Sequence, residues 1–485
     1  MSVSVSIAKK NKMSYIHVAI MLALMLGVGY LPPIAQITPI GMKVLGVFLG
    51  LVYGWCFIDL LWTSVLGFFT LGLTGYTSVV SAFVAGFTNP TTVIILVCFA
   101  FAYCLNVIGV SEAIAYWLMG RKIFIGRPWL LCVGIVSGAW IMDLLGGGYA
   151  AIFLLWSVVA AIAEVNHIEK GNILLSMLYA LILFAGMTGG SVVPFFGGVI
   201  LYGGFFTAAT GLAIPAMSFL LSGLIYSVLT FGVMMLLSKV VLKVDASQFS
   251  LSEEMRAEYQ NKKMTTVQKV GLVLLVFYFM ALLLPSVFHG AIWTTFATWG
   301  VTGFSIIYMV VFCVWKDDKG KAICDMGDCF KHGVIWNTLL LFMVTIPVAS
   351  AMESADTGIM ASISALCNSL FSGLSVTMLL IIIAVVVGFL TQFMHNVVMG
   401  ALFIPIFAPI VMNMGGNPMT FFFVIYLTLC CAYATPAGSM MAALIFGKEG
   451  VPVKHSYIYG WMFYVINCII LVIMIPLLNI LFAGQ

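Results

Sequence analysis

Apolar residues recur in blocks of membrane-spanning length from Tyr15 to Ala483, separated by short polar turns. A soluble chain of 485 residues could not hide that much apolar surface. A span takes roughly 20 residues, and the pattern predicts an all-α membrane protein of about eleven transmembrane helices plus two re-entrant hairpins. The first block, near 15–35, follows Lys9, Lys10 and Lys12. It is longer than a signal-peptide core and shows no small-residue cleavage site, so it reads as an uncleaved first helix.

One block stands apart. FLTQFMHNVVMGALFIPI, Phe389–Ile406, is apolar enough for lipid, yet Thr391, Gln392, His395 and Asn396 crowd its middle. Such groups must face protein, water or a solute. Pro405 and Pro409 follow. The block reads as a broken or re-entrant element whose polar bend lines a site near the bilayer midplane. Helical spacing places Thr391 one turn before His395, on the same face.

Composition agrees, with 63% hydrophobic and 7% charged residues. The net charge of +4 does not indicate nucleic acid, because the basic residues lie in loops rather than on a soluble domain. With the N-terminus cytoplasmic, Arg121, Lys122, Arg127, Lys170, Lys239, Lys243, Arg256, Lys262, Lys316, Lys331 and Lys448 fall on or near one side. Lys43 falls opposite, and the loops near Thr210, His289 and Ser372 carry no Lys or Arg. This pattern predicts a multi-pass protein of the cell (inner) membrane with its C-terminus outside. Eleven cysteines are scattered, mostly within spans, as small apolar residues. Cys324, Cys329 and His332 share the loop ICDMGDCFKH. That loop lacks a second Cys/His pair at zinc spacing and is not read as a metal site. The polar stretch between Lys239 and Lys269 reads as a solvated linker, with a helix near Ser250–Lys263 capped by Ser-Leu-Ser-Glu-Glu.

The chain also contains itself twice. Trp140–Trp156, WIMDLLGGGYAAIFLLW, has its counterpart in QFMHNVVMGALFIPI. Downstream of the first comes FAGMTGGSVVPFFGG, and downstream of the second CAYATPAGSMMAALIFG. Upstream, the run from Asn89 roughly matches the run from Asn337. An odd number of spans separates the copies, so they are inverted, which is a secondary-transporter pattern. The resulting division is an N-terminal helix (1–40), a first repeat (41–245) with an inner hairpin (129–160), a linker helix (246–268) and a second repeat (269–485) with an outer hairpin (377–412).

These motifs resemble the divalent anion/sodium symporter (DASS) family of the ion transporter superfamily, over nearly the whole chain. AFVAGFTNPTTVIIL is similar to the family's Gly-Phe-Ser-Asn-Pro helix start, and GVIWNTLLLF to its second-half counterpart. TQFMHNVVMGALFIPI resembles the outer hairpin, and YATPAGSMMAALIFG the unwound loop after it. The resemblance implies a homodimer in which a mobile transport domain moves against a static scaffold, elevator-fashion. It implies a substrate held between two hairpin tips and two unwound loops. Family substrates are di- and tricarboxylates and, in some relatives, sulfate. Each tip normally carries Ser-Asn-Thr; here the outer tip has His395, Asn396 and Val397, and the inner tip Leu145, Gly146 and Gly147.

Carried over by position, the implied substrate contacts are Gly146, Gly147, Ser191, His395, Asn396, Val397, Thr435 and Pro436. The implied coupling-cation contacts are Asp143, Thr188, Gly189, Thr391, Asn396 and Ala434, several through backbone carbonyls. Asp143 is a carboxylate near the membrane interior, where it must be paired, protonated or cation-bound. Arg127 is one candidate partner. Asp59, by contrast, reads as structural at a helix end. The expectation is a secondary active transporter of a small organic anion, di- or tricarboxylate-like, coupled to sodium or proton movement. It needs no cofactor beyond the coupling ion. The alternative is a sodium/proton antiporter or unusual-substrate permease of the same superfamily. An intramembrane enzyme is disfavoured, since the chain has no His-Glu-x-x-His motif and a repeat has no purpose there.

Overall fold

The computed structural model describes residues 15–145, 148–195, 197–288, 290–317, 319–371 and 373–484. Among them the chain is helical, with one isolated bridge between Lys316 and Ala322. The first half runs α1 (Tyr15–Tyr30), α2 (Pro39–Phe57), α3 (Leu61–Leu73), α4 (Val79–Thr88), α5 (Pro90–Ile108), α6 (Val110–Met119), α7 (Pro128–Leu144), α8 (Gly148–Val165), α9 (Ile173–Thr188), α10 (Gly197–Thr210) and α11 (Ala216–Val240). After α12 (Glu253–Asn261) come α13 (Thr266–Leu283), α14 (Ala291–Val314), α15 (Met326–Gly333), α16 (Trp336–Glu353), α17 (Ile359–Phe371), α18 (Val376–Leu390), α19 (Asn396–Asn413), α20 (Pro418–Leu429), α21 (Met440–Phe446) and α22 (Val453–Leu481).

Local chemistry sets many of these starts. Thr38-Pro39, Asn89-Pro90 and Asn417-Pro418 each place a side-chain cap before a proline at the first helical position. Asp59 does the same work for α3, accepting from Leu61 N at 2.8 Å and Trp62 N at 2.9 Å. By length and composition, 9 helices among the described residues can cross a membrane. Expected as a hairpin arm, α19 is among them.

Burial separates the apolar helices into two kinds. Over Ile173–Val192, which is α9 and the turn after it, 83% of the most apolar window is buried, and α20 is buried from Met419 to Leu429. In α13 and α14 only 28% is buried, which leaves most of their apolar surface for lipid. Packing across the two halves is reciprocal. Helix α5 lies on α14 and α15, and α16 lies on α3 and α4. Small residues allow both approaches: a Cβ at Gly86 of α4 would stand 2.5 Å from Met343 O, and one at Gly333 of α15 would stand 2.8 Å from Phe99 O. Elsewhere α7 packs on α9, α10 on α19, and α11 on α22.

The stretch between α11 and α13 is docked rather than solvated. Val244, Ala246, Phe249 and Leu251 are buried, and Asn166 Nδ2 donates to Ser250 O at 2.8 Å. Apolar residues interleaved with the polar ones drive the docking. Ser252 caps α12, accepting from Met255 N at 3.1 Å, and α12 packs on α6.

Candidate functional site

Asp143 occupies the last turn of α7, and α9 ends at Thr188 beside it. The two helix ends touch at Gly189, where a Cβ would stand 2.1 Å from Trp140 O. Only glycine allows that approach. It brings Gly190 N within 2.6 Å of Asp143 Oδ2, and the N–H donates to the carboxylate. Asp143 is 8% exposed. Arg127 stands at the other end of α7, roughly 25 Å away at 1.5 Å per residue, so it does not pair with Asp143. Gly146 and Gly147, expected at the inner tip, lie outside the described residues.

The hydroxyls near this point share one feature. Thr188 Oγ1 donates to Phe184 O at 2.8 Å, and Ser191 Oγ donates to Met187 O at 2.9 Å. With the proton on a carbonyl, each oxygen presents lone pairs to its surroundings. Together with the negative ends of α7 and α9, and Asp143 itself, this makes a cation-attracting environment.

The outer hairpin is built differently. Helix α18 passes through a π-helical segment, Ile383–Val387, and Tyr464 of α22 donates to Val385 O there at 2.8 Å. The helix ends at Leu390, so Thr391 and His395 do not share a helical face as their spacing predicted; a turn separates them. Gln392, which spacing alone gave no role, is a clamp. Its Nε2 donates to Gly388 O at 2.8 Å and Cys431 O at 3.1 Å, and its Oε1 accepts from Ala434 N at 2.8 Å. Thr435 Oγ1 donates to Gln392 O. The carbonyls of Thr391, Gln392 and Ala432 close around Gly438. Thr391 is 0% exposed, and its Oγ1 has no hydrogen-bond partner among the described residues. A buried hydroxyl of that kind is costly unless something else meets it.

At the start of α19, Val397 N donates to Asn396 Oδ1 at 3.0 Å and to His395 Nδ1 at 3.3 Å. A neutral His395 whose Nδ1 accepts carries its proton on Nε2. The imidazole Nε2–H and the Asn396 amide N–H groups therefore remain as donors at a helix N-terminus, which favours an anion. The backbone N–H of Val397, expected as a substrate contact, is taken up by Asn396 Oδ1 and His395 Nδ1 and orients them. Pro436 is exposed beside Thr435.

The two halves of the constellation meet through Cys430, just past the end of α20. Ser191 Oγ lies 3.8 Å from Cys430 Sγ, and Asp143 is within electrostatic reach of Cys430 and Tyr433. The Phe184 and Tyr433 ring centroids are 4.8 Å apart. Tyr202 of α10 and Tyr426 of α20 were not singled out by sequence. The Tyr202 hydroxyl is buried without a partner among the described residues, 5.5 Å separates the two ring centroids, and Tyr426 stands beside Ser191 and Cys430. A lone tyrosine inside an otherwise apolar helix was the available signal.

A family model of the sodium:sulfate symporter transmembrane region matches residues 12–483. The crystal structure of the YdaH transporter of Alcanivorax borkumensis is similar with a TM-score of 0.54 at 13% identity, covering 82% of this chain and 87% of that one. That likeness concerns the fold. An uncharacterised transporter of Synechocystis sp. (strain ATCC 27184 / PCC 6803 / Kazusa), sll0640, is 28% identical over 131 residues, which is 26% of this chain and 21% of the relative. The match thus spans about a fifth of that relative's length. With many apolar helices and a family match over residues 12–483, the chain is a multi-pass membrane protein that belongs to the sodium:sulfate symporter family, the divalent anion/sodium symporters that its motifs resemble, a family of transporters and not of enzymes.

Proposed function

We propose that this transporter carries a small organic anion, di- or tricarboxylate-like, across the inner membrane, coupled to sodium or protons. The observation that carries this reading is the separation of chemistry within the site. Donors, His395 Nε2–H and the Asn396 amide, remain at the N-terminus of α19. Lone pairs and a carboxylate gather at the C-terminal ends of α7 and α9. Anion and cation would be held side by side, each at the helix ends that favour it.

Reciprocal packing of α5 and α16 supports two inverted repeats, 41–245 and 269–485. The mutual packing of α7, α9, α11, α20 and α22 supports treating them as one body that moves against α2–α5 and α14–α16, elevator-fashion, in a homodimer. The N-terminus is cytoplasmic and the C-terminus outside in this arrangement.

Asp143 couples the two movements. A bare carboxylate crossing with the mobile body would cost several kcal/mol. Neutralisation by sodium or by a proton removes that barrier. The antiporter alternative rests on the same residue but gives no purpose to the donors at His395 and Asn396. The test is uptake into proteoliposomes, with a panel of carboxylates and inorganic anions, and with sodium and proton gradients imposed separately. Asp143→Asn is expected to keep substrate exchange and lose accumulation against a gradient. Ion exchange without uptake of any anion would overturn the reading in favour of antiport.

A further inference from the structure

Three cysteines from distant parts of the chain meet outside the candidate transport site. Cys104 lies on α5, Cys324 just before α15, and Cys329 in the first turns of α15. Their sulfur atoms all lie within 4.8 Å of one another, and Cys324 Sγ and Cys329 Sγ are 3.2 Å apart. All three are buried, at 0%, 2% and 0% exposure in chain order.

The fold holds them there by backbone. Cys324 N donates to Phe312 O at 3.1 Å and Ile323 N to Trp315 O at 2.9 Å, which ties the loop to the end of α14. Asp325 caps α15, accepting from Asp328 N at 2.9 Å. Gly333 then lets α15 lie directly on the α5 backbone, next to Tyr103 and Phe99.

Single buried cysteines need no explanation beyond apolar packing. Three sulfurs from two helices and a loop, within one coordination sphere, call for another. Thiolates at ~2.3 Å from a tetrahedral zinc ion stand about 3.8 Å apart, within the range seen here. The pair at 3.2 Å is well beyond the ~2.05 Å of a disulfide. Cys324 and Cys329 have four residues between them, a spacing found in zinc loops. The objection from sequence, that no second ligand pair follows, is met by α5, which supplies Cys104 from across the fold.

We propose that Cys104, Cys324 and Cys329 together bind a thiophilic metal ion of the zinc class in a structural site. Each metal–sulfur bond forms as a thiol gives its proton to solvent. The ion would pin the loop after α14 and helix α15 to α5, on the body against which α7, α9 and α20 are proposed to move.

The experiment uses the full chain purified in detergent without a polyhistidine tag, with zinc supplied during growth. Elemental analysis is expected to find one zinc per chain. Cobalt substitution is expected to give a thiolate-to-cobalt charge-transfer band. Cys324→Ser with Cys329→Ser should remove the metal, whereas Cys98→Ser, on α5 but outside the cluster, should keep it. Should the double variant not fold, titration of the wild-type protein with a mercurial should release zinc to a chromogenic chelator in step with thiol modification. Metal-free protein with alkylatable thiols at these positions, or a metal-free Cys324–Cys329 disulfide, would overturn the proposal.

Discussion

Thr391 and Gln392 are neighbours in sequence and opposites in their polar accounting. Every polar atom of the Gln392 amide has a partner, so Gln392→Leu strands Gly388 O, Cys431 O and Ala434 N. An unmet buried group costs about 1–3 kcal/mol. The variant should melt several degrees lower in detergent and lose transport. An unchanged melting temperature would show that the clamp is not formed. Thr391→Val removes a hydroxyl that has no partner among the described residues, at nearly constant volume. It should leave the melting temperature unchanged or raised, yet weaken coupling-ion affinity about tenfold, or ~1.4 kcal/mol. Unaltered ion dependence would remove Thr391 from the cation site. His395→Ala should raise the substrate KM more than the ion requirement, and Asn396→Ala should abolish transport in a folded protein. The polar cluster itself was legible in sequence. Which members brace the loop and which face the solute was not, because helical spacing assumes a helix that in fact ends at Leu390.

Among elements, the start of α5 at Asn89-Pro90 was read from its motif, and the structure shows the same local signal at Thr38-Pro39 and Asn417-Pro418, since capping acts within a few residues. Contacts between elements were less legible. The linker's docking depends on Val244, Phe249 and Leu251 finding a surface that no local pattern reveals. The meeting of α7 and α9 is set at Gly189, whose neighbours Trp140 and Leu144 come far earlier in the chain. Gly189→Ala must push these backbones apart, at a typical overpacking cost of 1–3 kcal/mol, roughly. It should therefore lower both stability and transport. Wild-type stability in this variant would mean that the helix ends yield freely. If α7–α8 and α18–α19 are re-entrant, cysteines placed on either flank of one hairpin should label from one side of the membrane, and those of the other hairpin from the opposite side. Labelling of a hairpin's two flanks from opposite sides would turn it into a spanning pair.

At the scale of the molecule, all-helical membrane architecture follows from the apolar blocks alone, and the two weakly matching runs, from Asn89 and from Asn337, form α5 and α16, each packed on helices of the other half. The meeting of Cys104 with Cys324 and Cys329 was hidden, because Cys104 belongs to an ordinary apolar helix in sequence. Lys170 and Glu449 make an exposed ion pair at 2.5 Å, and Gly171 N donates to Gly450 O at 2.9 Å. These contacts join the loop after α8 to the loop after α21. If both loops ride on one moving body, Lys170→Cys and Glu449→Cys bridged by a short bifunctional reagent should leave transport intact. Arrest of transport by that bridge would place the two loops on bodies that move relative to each other.

The burial of α9 has a consequence for how the protein is made. Apolar on all sides and almost wholly covered, α9 finds its cover in part from Tyr433 and α22, which leave the ribosome long after it. Until then lipid must stand in for protein around it. The nascent first half is thus an inserted but unfinished body, exposed to quality-control proteases for the time needed to synthesise the second. Expressed alone, residues 1–262 should be short-lived in the membrane. Co-expression with residues 263–485 should restore both the lifetime and transport, because what completes the core is a partner surface and not chain continuity.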